Sequence, residues 1–261
     1  MDKLGHKFPY FEEVNLGILR RIGSGLKILD VGCGYGCLGE VIEQKNNVVF
    51  GVDISPIAID RAKNRLYFAC LADVTKPETL PTEIKEEKFD IVVLADIIEH
   101  IYAPRELLEN VKTFLKDDGM LLISVPNAAN WATRLQLFFG RWNYTTSGVL
   151  DRTHIRFFTL NSVTRLLKAT NYEIINVSAT PYFLRAFAES IRNFLFPDCK
   201  DETPSNPKAL MESTYYKAYL RFLYPIENLI ASFWMRMFAF QFILTAKPVS
   251  ATRQNMNLEE N

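Results

Sequence analysis

The stretch Lys27-Ile28-Leu29-Asp30-Val31-Gly32-Cys33-Gly34-Tyr35-Gly36 decides the fold. Ile28, Leu29 and Val31 favour a strand, and Asp30 leads into glycines at alternate positions. A helical pattern over residues 37–44 follows, giving strand, tight turn and helix. Glycine carries no Cβ, so the turn can reach positive φ and let a ligand lie against its backbone. Unsatisfied N–H groups at the start of the next helix face the same space. The pattern implies an adenosine-containing cofactor.

Outward from this turn, strands and helices alternate. Residues 48–52 form an apolar run with one glycine, the mark of a strand buried on both faces, and it ends at Asp53. Ser55-Pro56 then reads as the N-cap and first-turn proline of a helix to residue 65. Further strands are expected over residues 67–72, ending at Asp73, over 89–95, ending before Asp96, and over 120–125, stopped by Pro126. A helix over 103–115, closed by Asp117-Asp118-Gly119, separates the last two. Upstream, Phe11, Val14, Ile18, Leu19 and Ile22 have helical spacing over residues 8–22, with Gly23 and Gly25 as the stop. Downstream, the pattern gives a short helix over 131–139, a loop over 140–152, a helix over 159–170, and strands over 172–178 and 238–246. This alternation implies an α/β chain with a mostly parallel sheet and helices on both faces. Ligands of such sheets bind beyond the carboxyl ends of the strands, where Asp30, Asp53, Asp73 and Asp96 all fall.

The organisation expected is an N-terminal helix in residues 1–24, a core over 25–180, a helical insertion over 181–237, a closing strand over 238–248 and a disordered tail over 249–261. At 261 residues with 48% hydrophobic content, the chain suits one large domain with an insertion. Thirty basic residues balance thirty acidic ones, so no global field draws the protein to DNA or RNA. The polar first ten residues lack a signal-peptide apolar region, and Cys33, Cys37, Cys70 and Cys199 lack zinc-type pairing. Both features point to reduced thiols in the cytoplasm.

Two cofactor readings compete on the turn itself. Gly34-x-Gly36-x-x-Gly39 with Asp53 downstream fits a dinucleotide fingerprint. Against it, the glycines begin at Gly32, directly after Asp30, and Cys37 stands where a fingerprint starting at Gly32 needs its third glycine. The residues 28–36 instead resemble motif I of class I S-adenosylmethionine-dependent methyltransferases. Val52-Asp53-Ile54-Ser55 is similar to the second motif of that family, and Ala72-Asp73-Val74 to the third. Phe89-Asp90-Ile91-Val92-Val93 with Ile98-Glu99-His100-Ile101 is similar to the fourth, and residues 119–127 to the fifth. The resemblance implies a Rossmann-like sheet of seven strands with the last one antiparallel. It also implies roles: Asp30, Gly32, Gly34 and Gly36 hold the methionine part of the cofactor, and Asp53 takes the ribose hydroxyls. Asp73 accepts from the adenine amino group, Ile54 and Val74 sandwich the ring, and Ala95 completes the cofactor set.

Asp96, Glu99 and His100 fall at i, i+3 and i+4, one face of a helical turn if one begins after the fourth strand. His154 follows within Asp151-Arg152-Thr153-His154-Ile155-Arg156-Phe157-Phe158-Thr159. Two carboxylates and two imidazoles suit Mg²⁺, Mn²⁺ or Zn²⁺, which would lower the pKa of an acceptor hydroxyl. The alternatives are a metal-free general base at His100 or His154, with Glu99 as the third catalytic candidate, or purely structural roles. The four residues resemble the E-x-x-E-H constellation of small-RNA 2′-O-methyltransferases and ubiquinone-biosynthesis O-methyltransferases, with Asp96 in place of the first Glu.

Pro126-Asn127, Trp131, Arg134, Gly140-Arg141-Trp142 and residues 151–159 resemble a methyltransferase subgroup associated with glycosyltransferases. This resemblance implies a sugar or lipid-linked glycan hydroxyl as the acceptor, and the runner-up is a quinone-type phenol. A non-catalytic cofactor-binding subunit is the reading from outside enzymes. Arg134, Arg141, Arg152 and Arg156 are candidates for meeting an acceptor phosphate or carboxylate. Apolar stripes interleaved with arginines over 182–237 suggest peripheral contact with the inner face of a membrane, a lid, or a dimer surface. The sequence names neither the acceptor nor the oligomeric state.

Overall fold

The computed structural model describes residues 14–181, 221–222 and 224–249. Seven strands form one sheet: β1 (Lys27–Val31), β2 (Val48–Asp53), β3 (Phe68–Leu71), β4 (Phe89–Ala95), β5 (Leu115–Pro126), β6 (Tyr172–Pro181) and β7 (Ala239–Pro248). Their order is β3-β2-β1-β4-β5-β7-β6. Pairing is parallel from β3 through β5, and β7 runs antiparallel to both β5 and β6. The sheet is therefore the mostly parallel, seven-stranded one expected, with its last strand reversed. The chain winds outward from β1 to β3 and then returns to β4 on the other side of β1. That reversal opens a crevice between the carboxyl ends of β1 and β4.

Alternation along each strand divides the core into two layers. Leu29, Val31, Val92, Leu94, Leu121 and Ile123 face one side. Ile28, Ile91, Val93 and Leu122 face the other. The first layer is covered by Ile84 of α4 (Thr82–Lys85), by Leu107, Leu108 and Val111 of α5 (Pro104–Lys112) and by Val163 and Leu167 of α7 (Leu160–Ala169). The second is covered by Ile18 of α1 (Leu16–Leu19), Ile42 of α2 (Cys37–Glu43), and Ile59 and Ala62 of α3 (Pro56–Ala62). Ser55 caps α3 through a bond from Ala58 N at 3.3 Å, with Pro56 in the first turn. Thr159 and Ser162 form a reciprocal capping box at the start of α7.

Two expectations differ from the structure. The upstream helix is the single turn α1, because Asn15 caps Gly17 N and Ile18 N and fixes the start there; residues 1–13 lie outside the described range. Helix α5 ends at Lys112, and the acidic pair after it is already in strand β5. Leu115 pairs with Phe89, a bulge follows, and Lys116 binds Asp90 at 2.6 Å. Most of the expected insertion, and residues 250–261 of the tail, lie outside the described residues. Its described end comprises α8 (Tyr224–Phe233) and α9 (Met235–Phe238), which lead into β7. No described helix is long and apolar enough to cross a membrane.

Candidate active site

The glycine turn occupies the crevice between β1 and β4. Gly32, Gly34 and Gly36 have φ of 73°, 54° and 80°, so all three sit in the left-handed region. A Cβ on Gly32 would also lie 2.0 Å from Ile97 Cδ1. Gly32→Ala is therefore expected to cost about 2–4 kcal/mol, the left-handed penalty plus overpacking. Chemical denaturation measures the loss, and shortening Ile97 to Ala in the same chain should recover the overpacking part. A second change without any recovery would show that the clash with Ile97 is not the cause.

Asp30 is buried beneath this turn, and its Oδ2 has no hydrogen-bond partner. Burial, then the neighbouring Asp53, pushes its carboxyl up to about 7. A buried carboxylate oxygen without a donor is a vacancy for a cation, and the ammonium of a methionine moiety has that chemistry. Asp53 accepts from Gly34 N at 2.9 Å and from Ser55 N at 2.8 Å, which ties the end of β2 to the turn. A carboxylate can accept about four bonds, so a ribose diol is compatible with these two. Asp73 is engaged within its own loop: Oδ1 accepts from Thr75 N at 3.0 Å and Thr75 Oγ1 at 2.6 Å, and Lys76 lies 3.3 Å from Oδ2. Partial burial opposes its charge, but the Thr75 and Lys76 donors hold it below the usual carboxylate value. Ile54 is 65% exposed and offers an open apolar face, whereas Val74 is packed into the core. Ala95 is half-buried at the end of β4.

Beyond β4 the chain turns at Asp96 with φ of 54° and then makes a tight 3₁₀ turn, Ile98–His100. This turn and the segment around His154 bring together Glu99, His100 and His154, whose donor atoms all lie within 4.8 Å of one another. The two segments are fastened by bonds from Ile155 N and Arg156 N to Glu99 O, both 3.0 Å. His100 Nδ1 lies 3.2 Å from Thr153 O, and His154 Nδ1 lies 3.1 Å from Val149 O. A carbonyl can only accept, so each ring carries its proton on Nδ1 and keeps a lone pair on Nε2. His154 Nε2 is 4.0 Å from Glu99 Oε1, and the two imidazole centroids are 4.8 Å apart. Glu99 is 1% exposed and neither carboxylate oxygen has a hydrogen-bond donor. Burial, then the charge of Asp96, raises it well above its ordinary value. Burial lowers both histidines, and the imidazole of His154 lowers His100 further. Two neutral, oriented imidazoles and one carboxylate without donors are what a divalent ion or a proton-accepting site requires.

Asp96 does not join this group. The expected shared helical face is absent because the turn is 3₁₀ and starts after a left-handed residue. Gln241 Nε2 donates to both oxygens of Asp96 at 2.5 Å, and Asn15 Nδ2 donates to Gln241 Oε1 at 3.1 Å. Gln241 and Asn15 were not among the residues expected at the site. Gln241 is a polar residue inside the apolar closing strand, and that interruption was its signal. Arg156 donates to the carbonyls of Ile101 and Tyr102 and also lines the crevice at Glu99 and His154. Phe157 meets Trp142 edge-on at 5.1 Å and lies 6.4 Å from both Tyr144 and His154, which builds an aromatic wall leading to the imidazoles. Glu99, Pro126, Ala128, Val149, His154, Arg156, Phe157 and Phe158 line the small crevice there.

A methyltransferase-domain family matches residues 9–177. The chain belongs to the class I S-adenosylmethionine-dependent methyltransferases. It is 32% identical over 109 residues to a ubiquinone biosynthesis O-methyltransferase of Glaesserella parasuis, covering 40% of this chain and 46% of that protein. The match thus spans under half the length of that curated relative. A Coxiella burnetii protein of the same name is 26% identical over 163 residues, covering 61% of this chain and 68% of that one. Among solved structures, a SAM-dependent methyltransferase from Archaeoglobus fulgidus has a TM-score of 0.58 at 17% identity, covering 94% of this chain and 98% of its own. That likeness concerns the fold.

Proposed function

We propose that this protein transfers the methyl group of S-adenosylmethionine to a hydroxyl of a quinone-type phenol. The observation that carries the reading is the cluster of Glu99, His100 and His154 beside the ring contacts of Phe157 with Trp142, Tyr144 and His154. The name of the relatives, ubiquinone biosynthesis O-methyltransferase, supports the phenolic acceptor over the sugar hydroxyl. The sulfonium of the cofactor supplies an electrophilic methyl, so an S–C bond breaks as the O–C bond forms. Asp30, Gly32, Gly34 and Gly36 would hold the methionine part, Asp53 the ribose, and Asp73, Ile54 and Ala95 the adenine end; Val74, packed into the core, would not sandwich the ring as expected. The acceptor proton passes to an imidazole Nε2, and the aromatic wall aligns the ring for in-line approach.

Glu99, His100 and His154 also suit a divalent ion such as Mg²⁺, Mn²⁺ or Zn²⁺, which would lower the pKa of the acceptor hydroxyl. Asp96 is left out of this set. The test is a methyl-transfer screen with labelled donor over catechols, hydroxyquinones, free glycans and lipid-linked sugars. Label is expected on phenolic oxygen; label confined to sugar hydroxyls would overturn the reading. Peripheral membrane contact through residues 182–237 belongs to the same proposal, supported by the exposed Leu229, Phe233 and Trp234 of its described end. Flotation with liposomes checks it, and protein left at the bottom of the gradient removes it.

A further inference from the structure

We propose that a second site, formed by Arg134 and Arg236, binds an oxyanion of the phosphate class. The two guanidinium-bearing residues line one open depression of about 140 Å³, together with Asn127, Thr159 and Asn161. Arg134 lies on α6 (Trp131–Phe138), which Asn130 caps through a bond from Thr133 N, and Arg236 lies on α9. Arg134 Nε donates to Ala129 O at 2.6 Å, which fixes the plane of the group and leaves its terminal nitrogens as a fork. Among the described residues, neither arginine has a carboxylate partner. Two cations without a carboxylate partner among the described residues line one depression, an arrangement that an anion would complement.

The position is built, since the segment between them is anchored. Asn127 Nδ2 donates to Ala239 O at 3.0 Å and Arg236 O at 3.4 Å, and Asn127 N donates to Phe240 O at 2.8 Å. Alternate residues serve the two sites: Pro126 and Ala128 line the crevice of Glu99, and Asn127 and Ala129 line this depression. Oxyanion binding here is therefore separable from the proton-accepting site and does not depend on which hydroxyl is methylated. Exposed aromatic residues lie close to both arginines in sequence: Phe138 stands one helical turn beyond Arg134, and Phe233 three residues before Arg236. A phosphate group with an apolar body attached, or a soluble phosphate ester, has the matching chemistry.

Calorimetry with inorganic pyrophosphate at low ionic strength tests the site directly. Saturable binding is expected, weakened at least tenfold by Arg134→Gln or Arg236→Gln and abolished by both. Affinity for S-adenosylhomocysteine, unchanged in all three variants, controls for folding. Absence of pyrophosphate binding to the unaltered chain, or undiminished binding to the double variant, overturns the proposal. Cosedimentation with phosphatidic acid vesicles but not phosphatidylcholine vesicles, competed by pyrophosphate and lost in the double variant, assigns the anion to a lipid headgroup. Pyrophosphate binding without cosedimentation assigns it to a soluble phosphate ester.

Discussion

Alanine at Glu99 or at His154 is expected to lower methyl transfer by about 10²–10⁴-fold while leaving the affinity for S-adenosylhomocysteine intact. Neither residue belongs to the glycine turn that would hold the cofactor, so rate and cofactor affinity should separate. The carboxylate of Glu99 is buried without a hydrogen-bond donor, a cost that the role proposed for it in methyl transfer would explain. Its raised pKa fixes the sign of a second readout. A carboxyl that binds its proton more tightly folded than unfolded makes stability fall as pH rises through the ordinary carboxylate range and beyond. Glu99→Gln removes that ionisation, so it should raise the midpoint of thermal unfolding at neutral pH even as it lowers the rate. Chelation divides the two chemistries. Activity lost to a chelator and restored by Mg²⁺, Mn²⁺ or Zn²⁺ assigns an ion to Glu99, His100 and His154. Activity indifferent to chelator, with His154→Ala still inactive, leaves the imidazole as the proton acceptor. Full activity in both alanine variants would remove this group from the reaction.

Elements with strong local signals were legible in the sequence. Strand β4 has the bounds expected, and β2, α7 and β7 lie within about two residues of theirs, because each combines a long apolar period with a cap or an acidic stop. The start of β5 was not legible: the polar Lys116, Asp117 and Asp118 read as a helix end, and only their pairing across to the Phe89 end of β4 makes them strand. The first helix was overextended because its apolar spacing continues before the Asn15 cap. At the site, the pairing of the Glu99 and His100 turn with His154 came from residue types that sit far apart in the chain. The exclusion of Asp96 depends on Gln241, which lies 145 residues away; the polar break it makes in the closing strand marks it but does not name Asp96 as its partner. A positive φ at a non-glycine residue is likewise a tertiary outcome, imposed here where Asp96 N meets Ser124 O and Oγ.

Affinity for S-adenosylhomocysteine is expected to rise about tenfold between pH 6 and pH 8 and then level off until the ammonium of the ligand itself loses its proton. The cause is Asp30. With its carboxyl held near 7 by burial and by Asp53, the unliganded protein is mostly protonated there at pH 6 and mostly ionised at pH 8. Only the ionised form offers the ammonium a charge-assisted partner, so binding below pH 7 must first expel a proton. In the unliganded chain the sign is opposite: the folded state holds the proton more tightly than the unfolded one between the ordinary carboxylate value and about 7, so stability falls as pH rises across that window. Ligand therefore protects most where the free protein is weakened most. Asp30→Asn should flatten both profiles and weaken binding at pH 8 by about 10²-fold or more, the cost of leaving a buried cation without its counter-charge. The amide keeps the volume of the carboxyl, so thermal unfolding of the unliganded variant at pH 8 should shift upward. A binding profile that is flat with pH in the unaltered chain, or equally steep in Asp30→Asn, would place the ammonium on another group.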